Sequence, residues 1–313
     1  MAAASGSSQD APPGFTMDQI ALYQRRRQSL YGWMLAAPAL ILLTIFALIP
    51  TVTTLWASFY SKGTVRRPSA FNGLDNYTSL IHDPAFWTVV WNNALYAGIT
   101  IPFSIAIALA MALWANASIP LRGVVRGAYF TPTMLPMIAA ANIWLFFYTP
   151  GLGVIDSITG LFGLPPVNWL GQPQTALWSV IVVTIWKEAG FFMIFYLAAL
   201  QTIPPDFKEA SAIEGAGRFT YARRVLIPLL MPTTAFVFIN ALINSVKLID
   251  HLFILTKGGP NNATKLILYW IWEMAFAYFD RPHAAAMTVL ILLFLGAVAI
   301  FQFRVLDKRI HYR

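Results

Sequence analysis

An all-α membrane protein with six transmembrane helices is the fold class this sequence predicts, and three observations predict it. Of 313 residues, 58% are hydrophobic and only 11% are charged, a balance foreign to soluble domains. Mean hydropathy is +0.62. Several apolar runs also reach the roughly 20 residues that a helix needs to cross a hydrocarbon core about 30 Å thick. Length therefore counts spans rather than soluble domains.

The chain opens with MAAASGSSQDAPPG, whose Gly, Ser, Ala and Pro content cannot bury a core, so residues 1–30 are expected to form a disordered cytoplasmic tail. No cleavable leader is expected, because the first apolar run starts only at Trp33. Six spans follow: Trp33 to Ala57, Ala94 to Trp114, Ala128 to Tyr148, Ala176 to Leu200, Val225 to Val246 with some extension, and Ala284 to Phe303. The apolar stretch Leu266 to Phe279 contains Glu273 and dense Trp and Tyr, which favours a helix at the outer interface over a seventh span. Pro38, Pro50, Pro102, Pro132, Pro136 and Pro232 fall inside or at the ends of spans; membranes tolerate such kinks where neighbours satisfy the freed carbonyls.

An even number of spans puts both termini on one side, and Lys and Arg placement decides which side. With the N-terminus inside, the cytoplasmic set is Arg25, Arg26, Arg27, Arg122, Arg126, Lys208, Arg218, Arg223, Arg224, Arg304, Lys308, Arg309 and Arg313. The outer set is Lys62, Arg66, Arg67, Lys257, Lys265 and Arg281, and the outer loop from Thr149 to Thr175 has no Lys or Arg. Both termini are thus expected in the cytoplasm. Topology accounts for the net charge of +8 better than a nucleic-acid partner does, since no basic patch on a soluble surface is visible.

Between the fourth and fifth spans lies TIPPDFKEASAIEGAGRFTYARRVLIP, from Thr202 to Pro228. Pro205 suits the first turn of a helix, where its missing N–H is not needed. Asp206 and Glu209 then sit near the positive end of the helix dipole. Gly215 and Gly217 end the helix after about two turns, and RFTYARRVL leads back to the membrane. The loop is predicted to be a short helix, a turn and a second short helix lying across the cytoplasmic face. Such a stiff, proline-flanked piece is more than a tether requires.

Several chemistries are excluded. With no cysteine in the chain there are no disulfides, thiolate metal sites or Cys nucleophiles, and four histidines leave little for a metal. No G-x-x-x-x-G-K-[ST] phosphate loop is present, so ATP is not expected on this chain. HExxH, GxSxG and paired-Asp arrangements are absent too.

Polar groups at membrane depth are costly and mark pathways or helix contacts. Asn240, Asn244, Lys247 and His251 recur at i, i+4, i+7 and i+11, one stripe of a helix, and form the candidate substrate path; interhelical hydrogen bonding is the competing use of the same stripe. Lys187 and Glu188 lie in the middle of the fourth span and, as neighbours pointing roughly 100° apart on a helix, each needs a partner elsewhere. Pathway lining and structural pairing are both open to them. Lys247 would favour an anionic substrate, although Asp250 is placed to neutralise it. Tyr96, Trp144, Trp186 and Phe191 are aromatic candidates for stacking on a sugar face.

The loop sequence resembles the signature of permease subunits in binding-protein-dependent ATP-binding-cassette (ABC) importers: Glu-Ala-Ala, three residues, Gly, nine residues, Ile, one residue, Leu-Pro. Glu209, Ala210 and Ser211 stand for the first three, Gly215 for the glycine, Val225 for the isoleucine, and Ile227 and Pro228 for the closing pair. Ser211, Val225 and Ile227 depart from the pattern conservatively. FNGLDNYTSLIHDPAFW (Phe71 to Trp87), NWLGQP (Asn168 to Pro173) and LTKGGPNNAT (Leu255 to Thr264) resemble outer segments of carbohydrate-type members. IWKE, AALQTIP and the tail FQFRVLDKRIHYR are similar to the glycerol-3-phosphate and maltose type.

The resemblance implies one permease domain over residues 31–313, with a coupling loop at about 203–228 that docks on a separate ATPase. Glu209 would meet a basic residue of that ATPase and Gly215 would supply the bend. It also implies a second homologous permease, two ABC ATPase subunits carrying ATP and Mg, and an extracytoplasmic substrate-binding protein, in a bacterial inner membrane. The cargo class is a sugar, a sugar derivative or glycerol-3-phosphate. The alternative is a secondary transporter driven by an ion gradient through Lys187, Glu188, Lys247 and Asp250, against which the signature loop and the lack of an inverted repeat both weigh.

Overall fold

A computed structural model describes residues 17–63, 68–117 and 120–309. Helices dominate, and among these residues the one β-type pairing is the isolated bridge between Tyr60 and Phe71. Five helices are long and apolar enough to cross a membrane, and the number is six if a helix pair bent by 100° is one span. Arg66, Arg67 and Arg313, assigned to the topology above, lie outside the described residues.

The chain divides into two compact units at Ala57. The first contains α1 (Met17–Leu43), a widened π-turn (Thr44–Leu48) and α2 (Ile49–Ala57). The disordered tail expected over residues 1–30 is corrected for its second half: helix begins at Met17. Between Met17 and Tyr31 the chain is rich in Gln and Arg and free of Gly and Pro, a composition that favours helix.

The wide turn has a local cause. A proline ring clashes with the carbonyl four residues back, and one extra residue in the preceding turn moves that carbonyl aside. Thr44–Leu48 is followed by Ile49 and Pro50, with the Ile49 N–H donating to the Thr44 carbonyl. The same construction recurs at Ala222–Leu226, followed by Ile227 and Pro228, where the Ile227 N–H donates to the Ala222 carbonyl.

The second unit begins with α3 (Asp75–His82) and α4 (Pro84–Asn116). Asp83 caps α4 by accepting from the Ala85 N–H at 2.8 Å, and Pro84 occupies the first turn, as N-termini favour. The central pair of the bundle is α4 with α8 (Pro173–Thr202). Small residues allow the close approach: Ala108, Ala112 and Ala115 of α4 are fully buried. Against this pair pack α12 (Met231–Lys247) and α14 (Ile267–Trp272), while α13 (Asp250–Leu255) lies chiefly on the helix Met137–Phe147 and α15 (Arg281–Arg309) on α3 and α14.

One core cluster joins Tyr96, Leu177, Ile181, Leu252 and Tyr269 towards one end of the bundle. A second joins Ile101, Phe192, Tyr196, Leu226 and Val237 towards the other. Half of the most apolar window of α8 is buried within this chain, against about a third or less for the other crossing helices. Most of their surface is left for lipid or other subunits.

The third span is corrected. It is a broken helix: α5 (Arg122–Met134) and α6 (Met137–Phe147) meet at 100°. Leu135 is extended, with ψ 134°, and Pro136 caps α6, because the residue before proline avoids helical backbone. The fifth span is corrected as well. Val225 lies in the π-turn, and the crossing runs from Met231 to Leu255 with an interruption at Leu248 and Ile249. Leu266 to Phe279 is no seventh span, since its helix covers only Ile267–Ala277 and Glu273 is taken up by an ion pair with Lys265 at 2.6 Å.

Candidate functional site

The connection from α8 to α12 forms a rigid elbow. Helix α8 ends at Thr202, and after Pro204 the Pro205 carbonyl accepts from the Lys208 and Glu209 N–H groups, starting α9 (Asp206–Ile213). The helix closes with paired bonds from Gly215 N–H to Ala212 O (3.0 Å) and from Ala216 N–H to Ser211 O (2.9 Å), the Schellman arrangement that satisfies the last carbonyls. Gly215 has φ +76° with open space around it, so glycine is needed there for its backbone conformation rather than for room. Then come α10 (Arg218–Tyr221), the π-turn and α11 (Ile227–Leu229).

The elbow is fastened on one side only. Tyr221, Leu226, Ile203 and Leu200 join the second core cluster, and the Ser211 side chain is buried, donating to the Lys208 carbonyl at 2.8 Å. Glu209, Ala210, Gly215, Ile227 and Pro228 are exposed, and Val225 is half-buried. Phe207, Ile213 and Phe219 stand out as exposed apolar side chains, Ile213 at 88% and Phe219 at 77%. Charged and apolar groups are thus both exposed on the elbow, Glu209 and Ile213 on one side of α9 and Phe207 nearer the side of Ser211.

Within the bundle, two of the predicted path residues meet: the Asn244 amide donates to a Glu188 carboxylate oxygen at 2.8 Å. They border a cavity of about 10 Å³ that Thr100, Ser104, Thr184 and Ser245 also line, room for a single water. Lys187 points the other way. Its ammonium donates to the carbonyls of Pro132 (3.1 Å) and Leu135, which the break in the third span has freed. Gly190, one turn later in α8, lets the Tyr129 carbonyl come so near that a Cβ would lie 2.5 Å from it. The Lys187 ammonium therefore clamps the broken helix at two carbonyls.

The remaining stripe residues separate. Asn240 bonds to its own helix at the Phe236 carbonyl, 2.9 Å away. Lys247 is exposed at the end of α12. His251 lies beyond the interruption at 248–249, fully buried, stacked 6.3 Å from the Tyr96 ring and 3.4 Å from the Thr184 hydroxyl. A continuous stripe assumed a continuous helix, and Leu248 leaves helical backbone with ψ 103°.

Among the aromatic candidates, Tyr96 is buried and hydrogen-bonded to Thr184 at 2.8 Å. Trp144 and Trp186 pack edge to face on each other, and Phe191 packs on Phe195. Sequence reasoning missed Thr184, Thr100 and Ser104. Their spacing was the available signal, because Tyr96, Thr100 and Ser104 recur every four residues along α4, and Thr184 and Glu188 do so along α8.

Comparison with known proteins places this geometry. Residues 101–312 match the family described as binding-protein-dependent transport system inner membrane component. The sulfoquinovosyl glycerol transport system permease protein SmoG of Agrobacterium fabrum is 30% identical over 82% of this chain and 83% of its own length. The sn-glycerol-3-phosphate transport system permease protein UgpA of Salmonella typhimurium is 31% identical over 90% and 95%. The trehalose/maltose transport system permease protein MalF of Thermococcus litoralis is 30% identical over 81% and 85%. In a crystal structure of a bacterial ABC transporter that imports the acidic polysaccharide alginate, one chain shares the fold at TM-score 0.80 and 22% identity, covering 93% of this chain and 99% of that one. The chain thus belongs to the binding-protein-dependent transport system inner membrane components: it is a multi-pass permease of an ABC importer, not an enzyme.

Proposed function

We propose that this chain carries a sugar, a sugar derivative or glycerol-3-phosphate across a bacterial inner membrane, as one of two homologous permeases served by two ATPase subunits and an extracytoplasmic binding protein. The cargo class follows the relatives, whose names specify sulfoquinovosyl glycerol, trehalose/maltose and sn-glycerol-3-phosphate. The crossing helices leave surface that a second permease can cover alongside lipid. ATP and Mg belong to the ATPase partner. Both termini, and the elbow with them, face the cytoplasm, in keeping with Arg122, Arg126, Lys208, Arg223 and Arg224.

One observation carries the coupling role: an elbow rooted in the core by Leu226 and Tyr221 contains an exposed, Schellman-terminated helix that leaves Glu209 and Ile213 free on one side. A short rigid lever passes on a displacement that a flexible linker would absorb. Glu209, Ala210, Ser211, Gly215, Val225, Ile227 and Pro228 form that lever. Glu188 and Asn244, with Asn240 and Lys247 on the same helix, border the path, whereas His251 and Lys187 shape it from behind. ATP binding and release bias the bundle between outward and inward openings.

The test is deletion of Glu209 to Gly215. The expected result is a protein still inserted in the membrane and still assembled with the second permease, but without ATP-dependent uptake in vesicles. Uptake retained at the parent rate would exclude the coupling role. Uptake abolished by a protonophore and indifferent to ATP would point to an ion gradient instead.

A further inference from the structure

The loop between α6 and α8, residues 148–172, is built unlike a solvated connector. Four of its apolar side chains point outward: Leu152 is 78% exposed, Leu161 84%, Phe162 79% and Leu164 56%. It contains no Lys, Arg, His or Glu. Its one charge, Asp156, faces inward and accepts from the Gly151 N–H and the Trp169 indole N–H, both at 2.8 Å, and from the Val167 N–H at 3.4 Å. The only formal charge of the loop is thus consumed in holding its shape, and the shape presents grease.

Depth comes from the way the loop is tied to α8. The Trp169 carbonyl accepts from the Thr175 hydroxyl at 2.8 Å and the Ser179 hydroxyl at 3.4 Å, and the Tyr148 hydroxyl donates to the Ser179 carbonyl at 3.0 Å. Helix α8 has 30 residues, about 45 Å, so a centred hydrocarbon core of about 30 Å leaves roughly 7 Å beyond each boundary. Ser179 lies about 9 Å along the helix from Pro173, at that boundary. The loop therefore folds back to the level where headgroups meet acyl chains. Beneath it runs a groove of about 440 Å³ lined by Tyr148, Ile155, Trp169, Trp178 and Val182, and Trp178 is half exposed into it. Tryptophan and tyrosine at this depth mark the membrane interface.

We infer that this loop is a lipid foot: its apolar apex at Leu161 and Phe162 beds into the headgroup region of the adjoining leaflet, and the groove under it holds a phospholipid acyl chain against Trp178. An uncharged exposed patch with an internally satisfied carboxylate suits a lipid surface better than a polar protein partner. The inference needs only that α8 crosses the bilayer, so it stands whichever way coupling is resolved; with the termini inside, the leaflet is the outer one.

The chain has no cysteine, so Phe162→Cys and Trp178→Cys each take a single fluorescent label on this chain, which is then studied in the full importer complex with cysteine-free partner subunits in liposomes. Expected is strong quenching of the Phe162 label by lipids brominated near the headgroup and of the Trp178 label by lipids brominated further down the chain, with loss of quenching by aqueous iodide at both. Iodide quenching of the Phe162 label at the level of the free dye in buffer would overturn the proposal. So would shielding from both quenchers, which would assign the surface to the second permease or the binding protein. Leu161→Cys repeats the measurement should the Phe162 variant not assemble.

Discussion

The elbow and the bundle core place similar residue types under opposite rules. At the elbow, Glu209 is exposed on a helix whose start and end are determined within a few residues of chain, by the Pro205 carbonyl and the Gly215 turn. In the core, Glu188 is held by Asn244, 56 residues away, and Lys187 by carbonyls more than 50 residues earlier. A local device can be free on one face and still rigid. A buried charge in a membrane bundle exists only through its long-range partners. The difference separates a locally built element from one held by distant partners, and substitutions should separate the two likewise.

The largest stability effect is expected from Gly190→Val. Its new side chain has to displace the Tyr129 carbonyl, which would lie 2.5 Å from the Cβ, and overpacking of this kind costs about 3 kcal/mol or more. A lowered thermal midpoint in purified complexes checks it; an unchanged midpoint would mean that α5 and α8 are free to part. Next comes Asn244→Leu, which leaves the Glu188 carboxylate without its amide donor and should cost about 2 kcal/mol. Combined with Glu188→Gln it should cost less than the sum of the single changes, and strict additivity in a double-mutant cycle would break the pairing.

Gly215→Ala forces a Cβ into left-handed backbone at φ +76°, a strain of about 1–2 kcal/mol. It falls on an exposed turn, so the thermal midpoint should stay near the parent value while ATP-driven uptake drops. A variant that melts early yet transports normally would erase the contrast between elbow and core. The smallest effect concerns Asp156, whose carboxyl is held below the usual carboxylate range first by the Gly151 N–H and then by the Trp169 indole. A lowered folded-state value makes its contribution complete above the ordinary carboxylate value and lost as pH falls through the depressed one. Acid melts of Asp156→Asn should show a shallower loss of stability in that window than the parent does.

The elbow was legible from sequence nearly to the residue. Pro205, Asp206, Gly215 and Gly217 act on their immediate neighbours, and α9 ends where those glycines require. The crossings at α4, α8 and α15 were legible as well, because twenty apolar residues in a row have few alternatives in a bilayer. The 100° break at Leu135 was not. Pro132 and Pro136 announced a disturbance, but its angle is set by where Lys187 and Gly190 receive the loosened end of α5. The interruption at Leu248 carries no Gly or Pro at all, and so the supposed stripe ran past it. Partners of buried polar groups are tertiary facts, and periodicity within one helix reports only which face they share.

The Lys187 clamp has one more implication. An ammonium group that stands in for missing helix bonds ties the corner of α5 and α6 to the middle of α8 at two carbonyls, so twisting α8 drags the corner along as a single wedge. Flexing during transport must then be accommodated elsewhere, and the widened turn before Pro228 is left as the natural crease.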